Sequence, residues 1–145
     1  MVNITRPKHL YDTNKTKNSC TPLTNMDWNP VAPNVIACCC IDPICTIWDI
    51  EKQKIQSKIL AHGSSVFDIQ FKPAQQHIFA TVGADSSLRL FDLRDLTHSA
   101  IVYESDERKP LLRLDWNHGT NQIATLDVDG LEVNIIDIRN PMRPL

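Results

Sequence analysis

The chain has 145 residues, of which 15 are basic and 17 acidic, and its formal net charge is -2. This balance provides no basic face that could hold nucleic acid through its phosphates. No apolar run reaches the roughly 18 residues of a membrane span, and the amino end lacks the pattern of a secretory signal. We therefore expect an intracellular protein with reduced cysteines that binds neither nucleic acid nor a membrane directly.

Residues 1–19 precede the first of three similar units. Val2 to Ile4 and His9 to Tyr11 read as extended chain, and Asp12 to Asn18 reads as a polar loop. We predict that this segment is the outer strand of a preceding sheet, so that the chain is an internal slice of a larger protein.

Residues 20–60 form the first unit, around the segment MDWNPVAPNVIACCCIDPICTIWDI. Two apolar runs bounded by Pro and Asp predict a small antiparallel meander. All five cysteines fall here, and they are Cys20, Cys38, Cys39, Cys40 and Cys45. Because side chains alternate along a strand, three adjacent cysteines cannot chelate one metal ion and are interpreted as small core residues. Coordination by Cys38, Cys40 and Cys45 is the alternative.

Residues 61–106 form the second unit, in which three strands are predicted. In Val66 to Phe71 the apolar side chains of Phe67, Ile69 and Phe71 share one face, which predicts a half-buried strand. Ile78 to Val82 and Leu88 to Leu93 follow as the second and third strands.

Residues 107–145 form the third unit, around LDWNHGTNQIATLDVDGLEVNIIDI. Relative to the second unit it has one extra residue between Asp129 and Ile136, which predicts a β-bulge. Its outer strand would begin at Arg143 to Leu145, where the sequence stops. The charged loop Tyr103 to Lys109, before this unit, is predicted to be a solvated loop on a rim that partners could approach.

Four landmarks recur at intervals of 43 to 45 residues. They are the aromatics Trp28, Phe71 and Trp116, the alanines Ala37, Ala80 and Ala124, the turn aspartates Asp42, Asp85 and Asp129, and the pairs Trp48-Asp49, Phe91-Asp92 and Ile136-Asp137. A period of about 40 to 45 residues with Trp-Asp ending the third strand is the signature of a WD40 β-propeller blade. The sequence therefore predicts an all-β fold, an incomplete WD40 β-propeller of three four-stranded antiparallel blades that are partial at the ends.

The His62-Gly63 pair, Asp85 and Trp48-Asp49 resemble the WD40-repeat family. In that family a tetrad of His, Ser or Thr, Asp and Trp often holds a blade together. The resemblance assigns these places to His62, Thr81, Asp85 and Phe91 in the second unit, although Phe91 has no indole donor. The first unit has Ser19, Cys38, Asp42 and Trp48 there, and the third has Glu107, Thr125, Asp129 and Ile136. Only the second unit is expected to hold a nearly complete network.

Longer segments of the sequence resemble one WD-repeat subfamily in particular. They are ATVGADSSLRLFDLRDLTHSAIVYES, PLLRLDWN and DGLEVNIIDIR. The subfamily includes scaffolds of dual-specificity tyrosine-regulated kinases and the plant transparent-testa-glabra proteins, which join MYB and basic helix-loop-helix transcription factors. The resemblance implies a non-enzymatic scaffold of the nucleus and cytoplasm, with protein kinases and transcription factors as partners. That family closes a ring of about seven blades, so three repeats are expected to self-associate through open edges.

Arg94 and Arg139 end two segments that are similar to the W-D-x-R pattern of many WD40 proteins. The segments are Phe91-Asp92-Leu93-Arg94 and Ile136-Asp137-Ile138-Arg139. In those proteins the pattern docks the adaptor of cullin-4 ubiquitin ligases, and a planar guanidinium on a rim suits a partner's carboxylates or carbonyls. The alternatives for the chain are therefore a substrate receptor of a cullin-4 ligase and a fragment without independent function. The alternative for the two arginines is that they are ordinary surface residues whose charges are solvated.

No catalytic centre, cofactor site or metal site is predicted. The histidines are scattered, and neither Ser64-Ser65 nor any cysteine lies in the sequence context of an activated nucleophile. Asp127, Asp129, Gly130 and Glu132 lack the ligand spacing of a calcium loop. The chain has only four glycines, and they form no phosphate-binding loop.

Overall fold

The computed structural model describes Leu10 and residues 21–141, and these residues form eleven β-strands. The strands are β1 (Leu23–Trp28), β2 (Val35–Cys40), β3 (Ile44–Asp49), β4 (Lys54–Leu60), β5 (Val66–Phe71), β6 (Ile78–Gly83), β7 (Ser87–Asp92), β8 (Asp95–Glu104), β9 (Leu111–Trp116), β10 (Gln122–Asp127) and β11 (Val133–Asp137). Within the described part of the chain there is no helix long and apolar enough to cross a membrane.

The strands form three antiparallel sheets in which each strand pairs with its neighbour along the chain. The first sheet contains β1 to β4, the second contains β5 to β8, and the third contains β9 to β11. The sheets lie within residues 20–60, 61–106 and 107–145. The predicted all-β fold is confirmed, and the three repeated meanders are consistent with partial WD40 propeller blades.

The sheets stack on one another in chain order, with β1 against β5 and β5 against β9. One apolar core lies between the first and second sheets, and it consists of Val35, Ala37, Cys39, Cys45, Ile47, Ile59, Ala61, Val66, Ile69, Phe71, Phe79 and Phe91. A second core lies between the second and third sheets, and it consists of Ala80, Val82, Leu88, Val102, Tyr103, Leu111, Leu114, Trp116, Ile123 and Ile136. The second sheet is therefore covered on both faces.

Each inner strand, β1, β5 and β9, contains one bulge near its start. The pairing with the next strand skips one residue, and the skipped residues are Thr24, Phe67 and Leu112. A skipped residue shifts the alternation of side chains, so Val66 rather than Phe67 joins Ile69 and Phe71 in the core. The predicted apolar face of β5 was wrong at Phe67, which is only half-buried. Because Asp68 is buried as well, the strand is covered on both sides.

Two smaller predictions, one in the third unit and one for the loop that leads into it, were wrong. The extra residue before Ile136 does not form a β-bulge, because β10 and β11 pair without a register shift. It lengthens the turn 128–132 instead, where Asp129 has a φ of 58°. The loop 103–109 is not wholly solvated either, since Tyr103 and Ser105 are buried, whereas residues 106–108 are exposed.

Several predictions lie outside the described residues. They are the amino-terminal strand and loop, Ser19 in the place of the tetrad histidine, Cys20, and the outer strand expected at Arg143 to Leu145.

Candidate protein-interaction surface

His62 lies at the centre of a buried polar network in the second sheet. It belongs to the connection between β4 and β5, and its Nδ1 lies 2.8 Å from Asp85 Oδ1 while its Nε2 lies 2.8 Å from Thr81 Oγ1. The carboxylate can only accept, so Nδ1 donates to it, and Nε2 pairs with the Thr81 hydroxyl. The fourth assigned residue, Phe91, stacks on Phe79 with ring centroids 5.2 Å apart. The structure therefore joins three of the four residues by hydrogen bonds and places the fourth in the adjacent core.

Asp85 collects more donors than the tetrad pattern includes. Its carboxylate also accepts from the Gly63 amide at 2.9 Å, from the Ser87 hydroxyl at 2.7 Å and from Arg89 at 3.2 Å. Burial alone would raise the pKa of the Asp85 carboxyl, but the hydrogen bonds from His62, Gly63 and Ser87 hold that pKa below its ordinary value. Sequence reasoning missed Ser87 and Arg89, because a hydroxyl and a cation on a strand have no distinctive spacing.

Gly83 creates the space that the His62 ring occupies. A Cβ at this position would lie 2.7 Å from the Ser65 carbonyl oxygen and 3.1 Å from His62 Cγ. We expect Gly83→Ala to lower the free energy of unfolding by about 1 to 3 kcal/mol, because backbone and ring must both shift. Chemical denaturation measures this loss. Gly63→Ala is the matched control, since its Cβ would meet only Asp85 Oδ2 at 3.9 Å. Equal losses in the two variants would contradict the steric explanation.

The first and third sheets hold no comparable network among their described residues. In the first sheet, Asp42 accepts from Thr21. Cys38 stands where the tetrad has Ser or Thr, and its thiol forms a side-chain hydrogen bond with Trp48. In the third, the Thr125 hydroxyl donates to the Arg113 carbonyl at 2.8 Å, and Glu107 pairs with Lys109 rather than with Thr125. Asp129 lies in the exposed turn. The hydrogen-bond network of the second sheet is therefore not repeated in the described residues of the other two sheets.

Carboxylates on the inner strands join neighbouring sheets. Asp27 on β1 accepts from the Phe71 amide of β5 at 2.7 Å, and Asp68 on β5 accepts from the Leu114 amide of β9 at 2.9 Å. Asn25 also donates to Asp68. Both amides lie on the free edge of their own sheet, so these bonds satisfy backbone donors that no strand pairing reaches. Sequence reasoning missed them, because the repeat spacing does not say which acceptor faces which amide.

Lys72 and Trp116 form a further contact between the second and third sheets. The Lys72 ammonium donates to Asn121 Oδ1 at 2.6 Å and lies 5.6 Å from the centroid of a Trp116 ring. The Trp116 indole donates to the Gln70 carbonyl at 3.3 Å. Lys72, the residue directly after β5, is therefore a buried cation that holds two sheets together.

Three of the four cysteines of the first sheet are buried thiols, and the fourth, Cys40, is half-buried. Strand pairing sets Cys39 opposite Cys45 in the core between the sheets, while Cys38 lies on the other face. Burial raises the pKa of the Cys39 thiol to about 11 and raises that of Cys45 well above its ordinary value. The alternative of a site formed by Cys38, Cys40 and Cys45 is wrong, since Cys45 faces away from the other two. No metal-binding cluster of His, Cys, Asp or Glu is present in the described residues.

Arg94 and Arg139 have the same geometry at the ends of β7 and β11. Arg94 Nε donates to both oxygens of Asp92, at 2.9 and 3.1 Å, and Arg139 Nε donates to both oxygens of Asp137, at 2.9 and 3.2 Å. Hydrogen bonds from the arginines lower the pKa of each carboxyl to about 2. Each arginine side chain is nevertheless 68% exposed. Two guanidinium groups are thus held in a fixed orientation at the same rim.

We call the end of the sheets formed by turns 50–53 and 93–94 and by residues 138–141 the arginine rim. The first sheet contributes a different ion pair there, between Asp49 and Lys52 at 3.2 Å. The opposite rim carries two open clefts of about 460 and 470 Å³. Acidic side chains predominate in their lining, among them Glu104, Asp106 and Glu132. The two rims therefore offer different charge to a partner.

No protein-family model matches the chain. The chain is 47% identical to the DDB1- and CUL4-associated factor 7 homolog of Dictyostelium discoideum, over 91% of its own length and 41% of that relative. It is 38% identical to an uncharacterized WD repeat-containing protein of Schizosaccharomyces pombe, over 88% of its own length and 33% of that protein. A WD repeat-containing protein of Saccharomyces cerevisiae is 36% identical, over 86% of the chain and 27% of that protein.

The chain therefore spans less than half the length of each of these relatives. Their names support the WD-repeat family for the chain, in agreement with its three repeated antiparallel sheets.

Proposed function

We propose that this chain, whose relatives are WD-repeat proteins, is a non-enzymatic module for protein–protein interaction, and that its arginine rim docks the adaptor of a cullin-4 ubiquitin ligase. The observation that carries the proposal is the repeated geometry of Arg94 and Arg139. Both side chains are exposed, and an aspartate two residues earlier holds each in place. Such an arginine loses little conformational freedom when a partner's carboxylate or carbonyl binds its remaining donors.

The comparison with known proteins supports this partner in particular. The relative from Dictyostelium is named a DDB1- and CUL4-associated factor, and it is 47% identical to the chain. The same chain segments that end in Arg94 and Arg139 carry the likeness to the W-D-x-R pattern. The cullin-4 alternative from the sequence and the name of a relative therefore favour the same class of partner.

Charge reversal on the arginine rim tests the proposal. We expect Arg94→Glu combined with Arg139→Glu to weaken binding of purified DDB1 at least about tenfold, because two oriented donors become like charges against the partner. Isothermal titration calorimetry measures the dissociation constant. The free energy of unfolding should change little, since both side chains are exposed.

A matched control is available on the opposite rim. Arg108→Glu combined with Lys109→Glu changes the net charge by the same amount, and both residues lie in the loop between β8 and β9. This variant should bind DDB1 as the unchanged chain does. Unaltered binding by the arginine-rim variant, or an equal loss in both variants, would remove the adaptor from the proposal.

A second candidate is a scaffold that bridges protein kinases and transcriptional regulators in the nucleus and cytoplasm. Its support is the phrase FDLRDLTHS, which forms the end of β7 and the start of β8. Thr97, His98 and Ser99 in this phrase are exposed on the outermost strand of the second sheet, so they are available to a partner. Affinity capture from native extract distinguishes the candidates. Recovery of kinases by the arginine-rim variant, but not by a variant altered at these three residues, would favour this second one.

A further inference from the structure

The hairpin between β7 and β8 carries a bulge at the arginine rim. Asp92 pairs with Asp95 across the turn, but the preceding residue, Phe91, pairs with Ser99. Residues 96–98 of β8 are therefore skipped by the pairing with β7, and we call them the hairpin bulge. The corresponding hairpin of the first sheet has no such break, because the last two pairs of β3 and β4 are consecutive. The second sheet thus presents a rim segment that strand pairing does not hold.

One carboxylate holds the hairpin bulge in place. Asp95 accepts from the Thr97 amide at 3.1 Å, from the Thr97 hydroxyl, and from His98 Nδ1 at 3.0 Å. Leu96 packs against the apolar core between the first and second sheets, whereas Thr97 and His98 are exposed. The Thr97 hydroxyl is therefore accessible to a partner and held in a defined position.

The sequence around Thr97 differs from that around the other exposed hydroxyl groups. Within the described part of the chain, the exposed serines and threonines are Ser64, Thr97, Ser99 and Thr120. Of these four, Thr97 is the one with an arginine three residues earlier, which is Arg94. Many protein kinases select their substrates by charge and bind a basic side chain at this distance from the target hydroxyl in an acidic pocket.

Arg94 and Thr97 are held by two adjacent carboxylates. Asp92 and Asp95 are direct partners, and such partners in an antiparallel pair point to the same face with Cα atoms about 4.5 to 5.5 Å apart. Arg94 donates to Asp92, and Thr97 donates to Asp95. A phosphate group on Thr97 would therefore lie within reach of the Arg94 guanidinium, which is 68% exposed.

We propose that Thr97 is a phosphorylation site for an arginine-directed protein kinase, and that its phosphate draws Arg94 away from Asp92. The γ-phosphoryl group of a nucleoside triphosphate bonds to Thr97 Oγ1, the bond to the bridging oxygen breaks, and the nucleoside diphosphate leaves. The kinase's base takes the hydroxyl proton. The phosphate, with a charge of about -2, repels the Asp95 carboxylate and binds the adjacent guanidinium through two donors.

The same event would regulate the arginine rim. This consequence depends on the proposed function, since it assumes that an adaptor binds the rim. The phosphate neutralises and turns one of the two oriented guanidinium groups, whereas Arg139 keeps its pair with Asp137 on the third sheet. Phosphorylation is therefore expected to weaken docking rather than to abolish it.

Incubation with calcium/calmodulin-dependent protein kinase II and magnesium ATP tests the modification, since this kinase accepts an arginine three residues before the target hydroxyl. Tandem mass spectrometry should locate the phosphate on Thr97. Thr97→Val should lose it, and Arg94→Gln should slow its transfer at least about tenfold, because the kinase then lacks the basic side chain that it binds.

Nitrogen-15 NMR of the arginine Nε groups tests the movement of Arg94. Phosphorylation should shift the Arg94 signal toward the position that it takes in Asp92→Asn, where the charged partner is absent. The Arg139 signal is the internal control and should stay in place, since Arg139 has the same geometry on another sheet.

Binding of purified DDB1 gives a separate result. The phosphorylated chain should bind DDB1 at least about tenfold more weakly than the unmodified chain. If the unmodified chain does not bind DDB1, the adaptor proposal fails, while phosphate on Thr97 and a shifted Arg94 signal still support the phosphorylation proposal. No phosphate on Thr97, or an Arg94 signal that stays in place after phosphorylation, would overturn it. Equal DDB1 binding by both forms would overturn the regulation of the rim.

Discussion

Replacing Phe79 by alanine is expected to lower the free energy of unfolding by about 3 to 5 kcal/mol. Phe79 is fully buried between the first and second sheets. Its ring stacks on Phe91 with centroids 5.2 Å apart and meets Phe71 edge-on at 5.8 Å. Truncation removes both aromatic contacts and leaves a cavity that the flanking strands cannot close. Denaturant unfolding followed by tryptophan fluorescence measures the change.

Phe67→Ala is the matched control for this experiment. Phe67 is the same residue type, on the strand next to Phe79, but the bulge leaves it half-buried and outside the core. We expect its truncation to cost less than half as much as that of Phe79. A loss for Phe67→Ala greater than half of that for Phe79→Ala would mean that β5 has the regular alternation predicted from sequence and that the bulge is absent.

Removing either side chain of the His62–Asp85 pair is expected to cost about 1 to 3 kcal/mol of stability. His62→Ala leaves the Thr81 hydroxyl and the Asp85 carboxylate without their buried partner, and Asp85→Ala leaves the His62 Nδ1 donor with only the longer contact to Ser87 Oγ at 3.2 Å. The double variant should lose clearly less than the sum of the two single losses, because each single variant already breaks the shared bond. Chemical denaturation of all four proteins gives the coupling energy.

Additive losses would show that the two side chains do not meet. Asp106→Ala serves as a control for carboxylate removal, since Asp106 is exposed in the loop between β8 and β9. Its loss should be small and should add to that of His62→Ala. Comparing the stability losses of the two aspartate variants separates the contribution of the His62–Asp85 hydrogen bond from the general effect of removing one negative charge.

The fold could be predicted from sequence because several residue types recur independently with the same period. Aromatics, alanines and aspartates share one period, and any one of them places a strand or turn in each unit. Strand β5 was predicted at its observed bounds, Val66–Phe71. The resemblance to the WD40-repeat family assigned His62, Thr81 and Asp85 to one network, and in the structure the His62 ring lies 2.8 Å from Thr81 and 2.8 Å from Asp85.

Two features could not be predicted because they depend on geometry that spacing does not record. The bulge at Phe67 changes which side chain enters the core without changing the length of the repeat. The bonds of Asp27 and Asp68 depend on how adjacent sheets are offset, and a carboxylate on a half-exposed strand reads as ordinary surface charge. Exposure of Arg94 and Arg139 was foreseen, but their fixed pairing with Asp92 and Asp137 was not.

The fold and the proposed function both depend on the stacking of neighbouring sheets, since stacking brings the arginines to one rim. The Phe71 and Leu114 amides report it directly, because each lies on the free edge of its own sheet and bonds to a carboxylate of the preceding one. The Lys72 amide bonds to Ile78 within the second sheet and reports strand pairing alone.

Native-state hydrogen exchange followed by NMR measures all three amides in one experiment. Stacked sheets predict slow exchange at Phe71, Leu114 and Lys72. Rapid exchange at Phe71 and Leu114 beside a protected Lys72 amide would show sheets that form but do not stack, and would contradict the account.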